Sequence, residues 1–383
     1  MTFEFDGLVF NLLDTPGHED FSEDTYRTLT AADCAVMVLD AAKGIEPQTL
    51  KLFEVCRLRD IPIVTFINKM DREAQDPIAL LDEIQDKLQL DTAPLYWPAA
   101  SGQRFAGMID LQKQEFCLFD RKPGEAPKIG ESRRMPGDEA SLKAALDESV
   151  FEELSEGAEM ATSLLPEFDE QSFLDGHMTP VVFGSALRHF GVLELLRTLH
   201  AYAPPPRDQK AEKKGEPVMI HASDKQVSGF VFKIQANMNP RHRDRAVFIR
   251  IVSGVFERDM QVNDVRTGKK VRLGNAQKLF GKDRETLDEA YAGDILALVG
   301  NYDFLIGDTV TSDQRLVYNE MPRFKPECFS YLFNNDTTNI KRYRAGLEQL
   351  LKEGVAQAYD VHGSAQRVPL LGAVGPLQFE VFK

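Results

Sequence analysis

The sequence has no long apolar run and few cysteines, and both shortages limit what the protein can be. No apolar stretch approaches the roughly 20 residues that a membrane-spanning helix needs. The amino terminus is acidic and strand-like, so we expect no signal peptide. The cysteines, Cys34, Cys56, Cys117 and Cys328, form no CxxC pair and no His/Cys cluster, which argues against a disulfide framework and a zinc site. We therefore expect a cytoplasmic protein with ordinary thiols and no membrane partner.

Positive charge is also in short supply. The chain has 45 Lys and Arg against 60 Asp and Glu, a formal charge of -15. This argues against loose, non-specific binding to nucleic acid, although a local basic patch can still meet a ribonucleoprotein. With 43% hydrophobic and 27% charged residues among 383, the composition is that of a soluble globular protein with two or three domains.

Strands and helices alternate over residues 1–204. Strands are predicted at 3–13, 35–39, 61–67 and 181–183, and helices at 22–32, from Pro47, from about Ile78 and at 192–202. Short buried strands separated by helices favour a parallel sheet with helices on both faces, which binds ligands at the carboxyl ends of its strands. Residues 101–175 are more polar and acidic, and we interpret them as an insertion. Residues 122–137 within it are also compatible with a flexible loop.

The character of the chain changes after three prolines. Residues 205–217 are charged, lack large apolar side chains and are predicted to be a linker. Residues 218–313 follow a strand pattern broken by glycine turns, which favours a small antiparallel barrel. Residues 314–383 suggest part of a third, α+β domain, with a strand at 328–333, a helix at 340–353 and a strand at 368–374.

Three short motifs follow predicted strands. Asp14 Thr15 Pro16 Gly17 His18 is typical of a phosphate site, since a carboxylate can hold Mg²⁺ through water and a glycine lets a backbone N–H approach a phosphate. Alone, this string is equally compatible with a turn. Asn68 Lys69 Met70 Asp71 matches NKxD, in which the aspartate accepts from N1–H and the 2-amino group of guanine, the asparagine meets the opposite edge and the lysine stem stacks on the base. The third motif is Gly184 Ser185 Ala186 Leu187.

In this order, with a barrel following, the motifs resemble those of the translational GTPases. Within them, residues 14–29 and 229–245 are most similar to the family of bacterial peptide chain release factor 3, and the similarity extends over essentially the whole chain. The resemblance implies a GTPase domain, a translation-factor barrel and part of a third domain.

The resemblance also implies roles for single residues. It assigns Asp14, Thr15, Pro16, Gly17 and His18 to Mg²⁺ and the terminal phosphate of GTP, with His18 positioning the hydrolytic water. It assigns Asn68, Lys69, Met70 and Asp71 to the guanine of GTP or GDP, with the backbone at Ser185 and Ala186 supporting its O6. The implied partners are the ribosome and class I peptide chain release factors.

One motif of the family is missing. The sequence contains no GxxxxGK[ST], and therefore lacks the phosphate-binding backbone loop, its lysine and a Mg²⁺-binding hydroxyl. We expect the chain to be an incomplete copy of a ribosome-dependent GTPase, without its amino-terminal loop and the end of its third domain. The alternatives are a non-catalytic ribosome-binding protein that has lost phosphate binding, or another translational GTPase such as an elongation factor G relative.

A basic cluster and a single tryptophan remain. Arg241, Arg243 and Arg245 fall between two predicted barrel strands and are candidates for contact with ribosomal RNA, or equally a solvated hairpin tip. Trp97 is expected in the core.

Overall fold

The fold is that of a computed structural model, which describes residues 1–15, 22–119, 133–236, 245–280, 283–319, 321, 325–334, 337–359 and 368–382. It divides into two compact units. One comprises residues 33–204, and the other comprises residues 1–32 together with 205–383. Among the described helices, none has the length and apolar character that crossing a bilayer requires.

The chain begins with a hairpin, where a single strand over residues 3–13 was predicted. Strands β1 (Thr2–Phe5) and β2 (Leu8–Asn11) pair antiparallel around Asp6 and Gly7, whose φ values of 46° and 82° lie in the left-handed region. An Asp-Gly pair favours such a two-residue turn, and the prediction overlooked it. In the described part of the chain, the hairpin forms a two-stranded sheet of its own. Helix α1 (Ser22–Thr30) follows it.

Helix α1 packs against elements of its own unit through polar side chains. Lys233 donates to the carboxylate of Asp24 at 2.9 Å. Arg27, which is 9% exposed, pairs with Glu23 and donates to the carbonyl oxygen of Gly354 at 3.4 Å. The helix is thus fixed by charged contacts rather than by an apolar stripe.

A parallel sheet organises the unit of residues 33–204. Its strands lie in the order β3 (Ala35–Asp40), β4 (Ile63–Asn68), β10 (Met178–Phe183) and β5 (Asp91–Pro94), and every adjacent pair is parallel. Strand β4 is buried at five consecutive positions, as expected of a strand covered on both faces. The first elements of the unit are β3 (Ala35–Asp40), α2 (Pro47–Leu58), β4 (Ile63–Asn68), α3 (Pro77–Leu88) and β5 (Asp91–Pro94). Proline stands at the first helical position of both α2 and α3, as predicted for α2.

The predicted insertion, together with the residues just before it, contains a second sheet that the sequence pattern did not reveal. Strands β6 (Tyr96–Ala99), β7 (Gly107–Asp110), β8 (Glu115–Leu118) and β9 (Arg133–Pro136) form an antiparallel meander. The alternative of a flexible loop over 122–137 does not hold for β9, and residues 120–132 lie outside the described residues. Helices α4 (Glu139–Ala145), α5 (Glu148–Leu164) and α6 (Glu170–Leu174) follow. Strand β10 (Met178–Phe183) and helix α7 (Val192–Tyr202) then complete the unit.

Residues 205–217, predicted as a linker, include strand β11 (Gln209–Lys213). It pairs with β12 (Glu216–Ile220) and with a later strand, so this segment is part of a three-stranded sheet. The predicted barrel is confirmed as a curled antiparallel sheet of eight strands, in the order β17-β16-β22-β13-β14-β21-β18-β19, around a core that includes Val231, Ile249 and Phe256. Its strands and those beside it are β13 (Ser228–Ala236), β14 (Arg245–Ser253), β15 (Phe256–Glu257), β16 (Gln261–Asp264), β17 (Lys269–Arg272), β18 (Ala276–Phe280), β19 (Asp283–Thr286), β20 (Glu289–Ala290), β21 (Ile295–Gly300), β22 (Thr309–Thr311) and β23 (Leu316–Val317).

The remaining elements are α+β, as predicted. Strands β24 (Cys328–Tyr331), β25 (Gln357–Tyr359) and β26 (Leu370–Ala373) form a sheet in the order β24-β26-β25. Helix α8 (Ile340–Lys352) precedes β25, and the short α9 (Leu377–Glu380) follows β26. Leu371 and Ala373 form a small core with Leu347 and Leu351 of α8.

Candidate functional site

Two of the three predicted motifs meet at the carboxyl edge of the parallel sheet. Strand β4 ends at Asn68, and β10 ends one residue before Gly184. The Oδ1 atom of Asn68 accepts from its own neighbour Lys69 N–H at 2.8 Å and from Ala186 N–H at 2.9 Å. The Nδ2 amino group of Asn68 makes no hydrogen bond to the described part of the chain, and it can donate to a ligand.

A second contact joins the two loops. Ser185, which is fully buried, donates from its Oγ to Oδ1 of Asp71 at 2.6 Å. The backbone of Ser185 exchanges hydrogen bonds with Phe190, which closes the loop around the short 3₁₀ turn Ala186–Arg188. The other oxygen of Asp71, Oδ2, lies 3.8 Å from Nε of the half-exposed Arg188. Asp71 is thus oriented by one hydrogen bond and keeps acceptor capacity for a ligand.

Met70 is a structural member of its motif. Its side chain is fully buried, its N–H donates to Gly184 O at 3.0 Å, and its carbonyl accepts from Gly102 N–H at 2.9 Å. These contacts place Lys69 and Asp71, which flank it, toward the edge of the sheet.

Lys69 has an unusual backbone and a fixed side chain. Its φ of 72° is left-handed, a conformation that costs a non-glycine residue of order 1 kcal/mol or more and is concentrated at functional sites. Its Nζ donates to Oδ2 of Asp40 at 2.6 Å, and this hydrogen bond holds the pKa of the Asp40 carboxyl below its usual value. Asp40 was not singled out from the sequence, although its place at the end of an apolar run, like that of Asn68, is the signal that marks it.

The first motif is only partly described. Asp14 is exposed and Thr15 is half-buried, three and four residues beyond the end of β2. Pro16, Gly17 and His18 lie outside the described residues. The expectation that Asp14 ends a strand of the same sheet as Asn68 is wrong, because β2 pairs only with β1 in the part of the chain that the structure describes.

Other predicted positions fall as follows. Arg241 and Arg243 lie outside the described residues, whereas Arg245 is the first residue of β14 and donates to Asn301 Oδ1 at 2.9 Å. Trp97 is 3% exposed and packs edge-on against Phe183, as expected of a core residue. Within the described ranges, no group of three or more His, Cys, Asp or Glu side chains is arranged to hold a metal ion.

Comparison with known protein families gives three adjoining matches. Residues 1–205 match the elongation factor Tu GTP binding domain, residues 226–313 match elongation factor G domain 2, and residues 318–383 match the C-terminal domain of class II release factor RF3. A crystal structure of a protein from Thermus thermophilus superposes with a TM-score of 0.77 at 22% identity. The superposition covers 100% of this chain and 56% of the Thermus thermophilus chain, and it supports the fold alone.

Matches to curated proteins over the whole of this chain are closer in sequence. The chain is 46% identical over 381 residues to peptide chain release factor 3 of Cyanothece sp., covering 100% of this chain and 69% of the relative. It is 46% identical over 384 residues to that of Symbiobacterium thermophilum, covering 100% and 72%. It is 45% identical over 381 residues to that of Synechocystis sp., covering 100% and 69%.

Fold and matches together define a multidomain translation-factor GTPase, with a parallel-sheet GTP-binding domain, a curled antiparallel sheet and a further α+β domain. The chain belongs to the peptide chain release factor 3 family, a family of translation termination factors. The family confirms the predicted class of function, and the comparisons give no support to the non-catalytic alternative or to an elongation factor G relative.

Proposed function

We propose that Asn68, Lys69, Asp71 and Ala186 form the base half of a site for GTP and GDP. The observation that carries this proposal is the pair of contacts Ser185–Asp71 and Asn68–Ala186, which fix both motif loops against each other. The free acceptor capacity of Asp71 suits the N1–H and 2-amino donors of guanine, a pair that adenine lacks. Asn68 Nδ2 can donate to the opposite edge of the base. The Ala186 N–H, which donates to Asn68 Oδ1, can also donate to the O6 atom of guanine.

The phosphate half of the site is assigned to residues 14–18. This assignment is supported by the single GTP-binding-domain match, which spans both residues 14–18 and 68–71. Asp14 suits a water-mediated contact to Mg²⁺, because its carboxylate is exposed. A bound Mg²⁺ neutralises phosphate charge. Gly17 offers a backbone N–H to the terminal phosphate, and His18 orients the attacking water.

The missing GxxxxGK[ST] loop limits phosphate binding by this sequence. We infer that the site is completed by such a loop outside the 383 residues, in a longer form of which this chain is a part. The domains of that form represented here would be a GTPase domain over 1–204 with its insertion at about 101–175, a connection at 205–217, a barrel over 218–313 and part of a third domain over 314–383.

Membership of the family supports a proposal for the cellular role. We propose a cytoplasmic, ribosome-dependent GTPase that promotes the release of class I peptide chain release factors after termination. Support comes from the class II release factor match over residues 318–383 and from the release factor 3 relatives matched over the whole of this chain. Ribosomal RNA contact through Arg241, Arg243 and Arg245 is part of the same proposal.

The base assignment is tested by changing what Asp71 recognises. In a chain extended at its amino terminus by a GxxxxGK[ST] segment from a translational GTPase, Asp71→Asn should shift preference from guanosine to xanthosine diphosphate by at least roughly 10²-fold. The amide donates to the carbonyl that replaces the guanine 2-amino group. Equilibrium titration with fluorescent nucleotides measures the shift. Asp82→Asn, a change at an exposed position of α3, is the matched control. Unchanged GDP preference in the Asp71 variant would remove Asp71 from the base site.

A further inference from the structure

We propose that Asp40 is a positioning residue of the base site, which holds the Lys69 side chain so that its methylene stem can stack on guanine. The inference rests on the proposed function, because it gives Lys69 a base to stack on. It adds a residue outside both motif loops.

The sheet register places Asp40 beside the NKxD loop. Asp40 ends β3 and is the parallel partner of Asn68, the last residue of β4. Each oxygen of the Asp40 carboxylate accepts one hydrogen bond. Oδ1 accepts from Ala42 N–H at 2.9 Å, and Oδ2 accepts from Lys69 Nζ at 2.6 Å. Its side chain is only 14% exposed, so the acceptor for Lys69 has a fixed position.

Lys69 is held at both ends while its middle stays open. The left-handed backbone fixes its Cα, and Asp40 fixes its ammonium group. The side chain is nevertheless 44% exposed, which leaves apolar stem available to a ligand. A free lysine side chain loses considerable rotamer entropy when it is ordered on a ligand, and a lysine already ordered by Asp40 avoids much of that loss.

Charge supports the same assignment. The hydrogen bond from Lys69 lowers the pKa of Asp40, so this carboxylate is ionised throughout the neutral range. A merely structural role for Asp40 is the competing explanation, since its Oδ1 also caps the turn after β3. If Asp40 positions Lys69, its effect on base binding requires the Lys69 ammonium group. If Asp40 is merely structural, its effect on base binding does not require that group.

The experiment uses the 383-residue chain and GMP, titrated by NMR through the amide signals of Lys69 and Ala186. Four variants are compared with the unsubstituted chain: Asp40→Asn, which retains an acceptor for Ala42 N–H, Lys69→Met, which keeps a stem without charge, their double variant, and Glu46→Gln as matched control. Glu46 pairs with Lys43 at 3.0 Å in the loop between β3 and α2 and does not contact Lys69.

Asp40→Ser is a second variant in case the first one unfolds, and thermal unfolding is followed for all variants. Relaxation of ¹³C-labelled Lys69 reports its order without nucleotide.

We expect Asp40→Asn to weaken GMP binding by about three- to tenfold, the scale of one partly exposed ion pair plus the ordering of one long side chain. The Lys69 stem should become more mobile, and the double variant should bind no more weakly than Lys69→Met. Glu46→Gln should match the unsubstituted chain. Unchanged binding in Asp40→Asn, or an added loss in the double variant, overturns the positioning role and leaves the proposed function intact. Failure of the unsubstituted chain to bind GMP overturns the base site itself, and with it this inference.

Discussion

At the scale of single residues, Gly354 has a conformation and a neighbour that require glycine. It lies two residues after the end of helix α8, with φ +71°, and a Cβ there would lie 2.6 Å from Nη1 of the buried Arg27. Arg27 in turn donates to the Gly354 carbonyl, at the helix end where cations are favourable. A side chain at position 354 would therefore have to displace the guanidinium end of Arg27 from this contact.

This geometry gives a prediction with a control on the same helix. Gly354→Ala should destabilise α8 by about 1–2 kcal/mol, from left-handed strain and displacement of Arg27. Gly346→Ala, inside α8 with no atom within 4 Å of its new Cβ, should instead stabilise it by up to about 1 kcal/mol. Hydrogen exchange of the α8 amides measures both changes. Equal effects of the same sign would contradict the assignment.

Cys117 is a thiol that the fold keeps unreactive. It is fully buried in β8, and burial, assisted by the nearby charge of Glu194, raises its pKa to about 12. Its thiolate is scarce at pH 8, so alkylation by iodoacetamide should be on the order of 10³-fold slower than for an ordinary thiol. Mass spectrometry of labelled peptides compares it with the half-buried Cys34 and Cys328. Labelling of Cys117 at their rate in the folded protein would show that β8 opens readily.

The same pKa has a consequence for stability at alkaline pH. A pKa raised in the folded state means that the unfolded state releases the thiol proton first, from about pH 9 upward. Cys117 therefore does not lower the free energy of unfolding below that pH, and it lowers this free energy progressively as the pH rises toward 12. Removing the thiol by Cys117→Ala should flatten this alkaline loss, although it leaves a small cavity at every pH.

At the scale of elements, α5 packs on the sheet of β6 to β9 through a glycine. A Cβ on Gly157 would lie 2.3 Å from Nε1 of Trp97 in β6, where Trp97 is 3% exposed. Gly157→Ala should therefore destabilise the unit of residues 33–204 by about 1–3 kcal/mol, the usual cost of overpacking. Urea unfolding is followed by fluorescence of Trp97, the single tryptophan. Glu156→Ala, at the exposed position before it, is the control and should have little effect.

Elements with a strong local pattern were predictable, and those that depend on long-range pairing were not. Helix α7 has the predicted bounds, because its apolar positions recur at helical spacing. Strands β3 and β4 are apolar runs and were also predicted, and β4 is buried at five consecutive positions. The four strands β6 to β9 have only four residues each, and their burial comes from mutual pairing and from α5, which no local pattern contains.

The base half of the site follows the same distinction. The NKxD and Ser-Ala-Leu strings were visible because each carries its chemistry in adjacent residues. Asp40 was missed because its partner, Lys69, is 29 positions away and only the parallel register of β3 and β4 joins them. The contact from Arg27 to the Gly354 carbonyl was missed for the same reason, since the two residues are 327 positions apart.

At the scale of the whole molecule, the charge balance indicates how the protein can meet a ribosome. A formal charge of -15 disfavours general attraction to RNA phosphates. Contact with ribosomal RNA would therefore need a local basic site, and Arg245, already engaged with Asn301, would contribute less than a free arginine. Arg241→Ala with Arg243→Ala, added to an extended chain, should weaken ribosome binding and reduce its salt dependence, whereas Arg245→Ala should have the smaller effect.

Nucleotide binding and hydrolysis are assigned to different groups of the proposed site, so they can be tested separately. The 383-residue chain should bind GTP weakly, because the charge-assisted contacts of a glycine-rich loop and its lysine to the phosphates are missing. Calorimetry showing tight GTP binding by these 383 residues would contradict this. In the chain extended by a GxxxxGK[ST] segment, His18→Ala should leave nucleotide affinity nearly unchanged, since His18 is assigned to the water and not to the nucleotide.

Ribosome-stimulated hydrolysis by the same variant should fall by at least roughly 10²-fold, the usual loss when a water-orienting or acid–base group is removed. Single-turnover assays with purified ribosomes measure the rate, and His189→Ala is the control. His189 follows the Ser-Ala-Leu turn with a left-handed φ of 55° and has no assigned role in hydrolysis. If hydrolysis survives the loss of His18, that histidine is a turn residue, and the assignment of guanine to Asp71 stands independently of it.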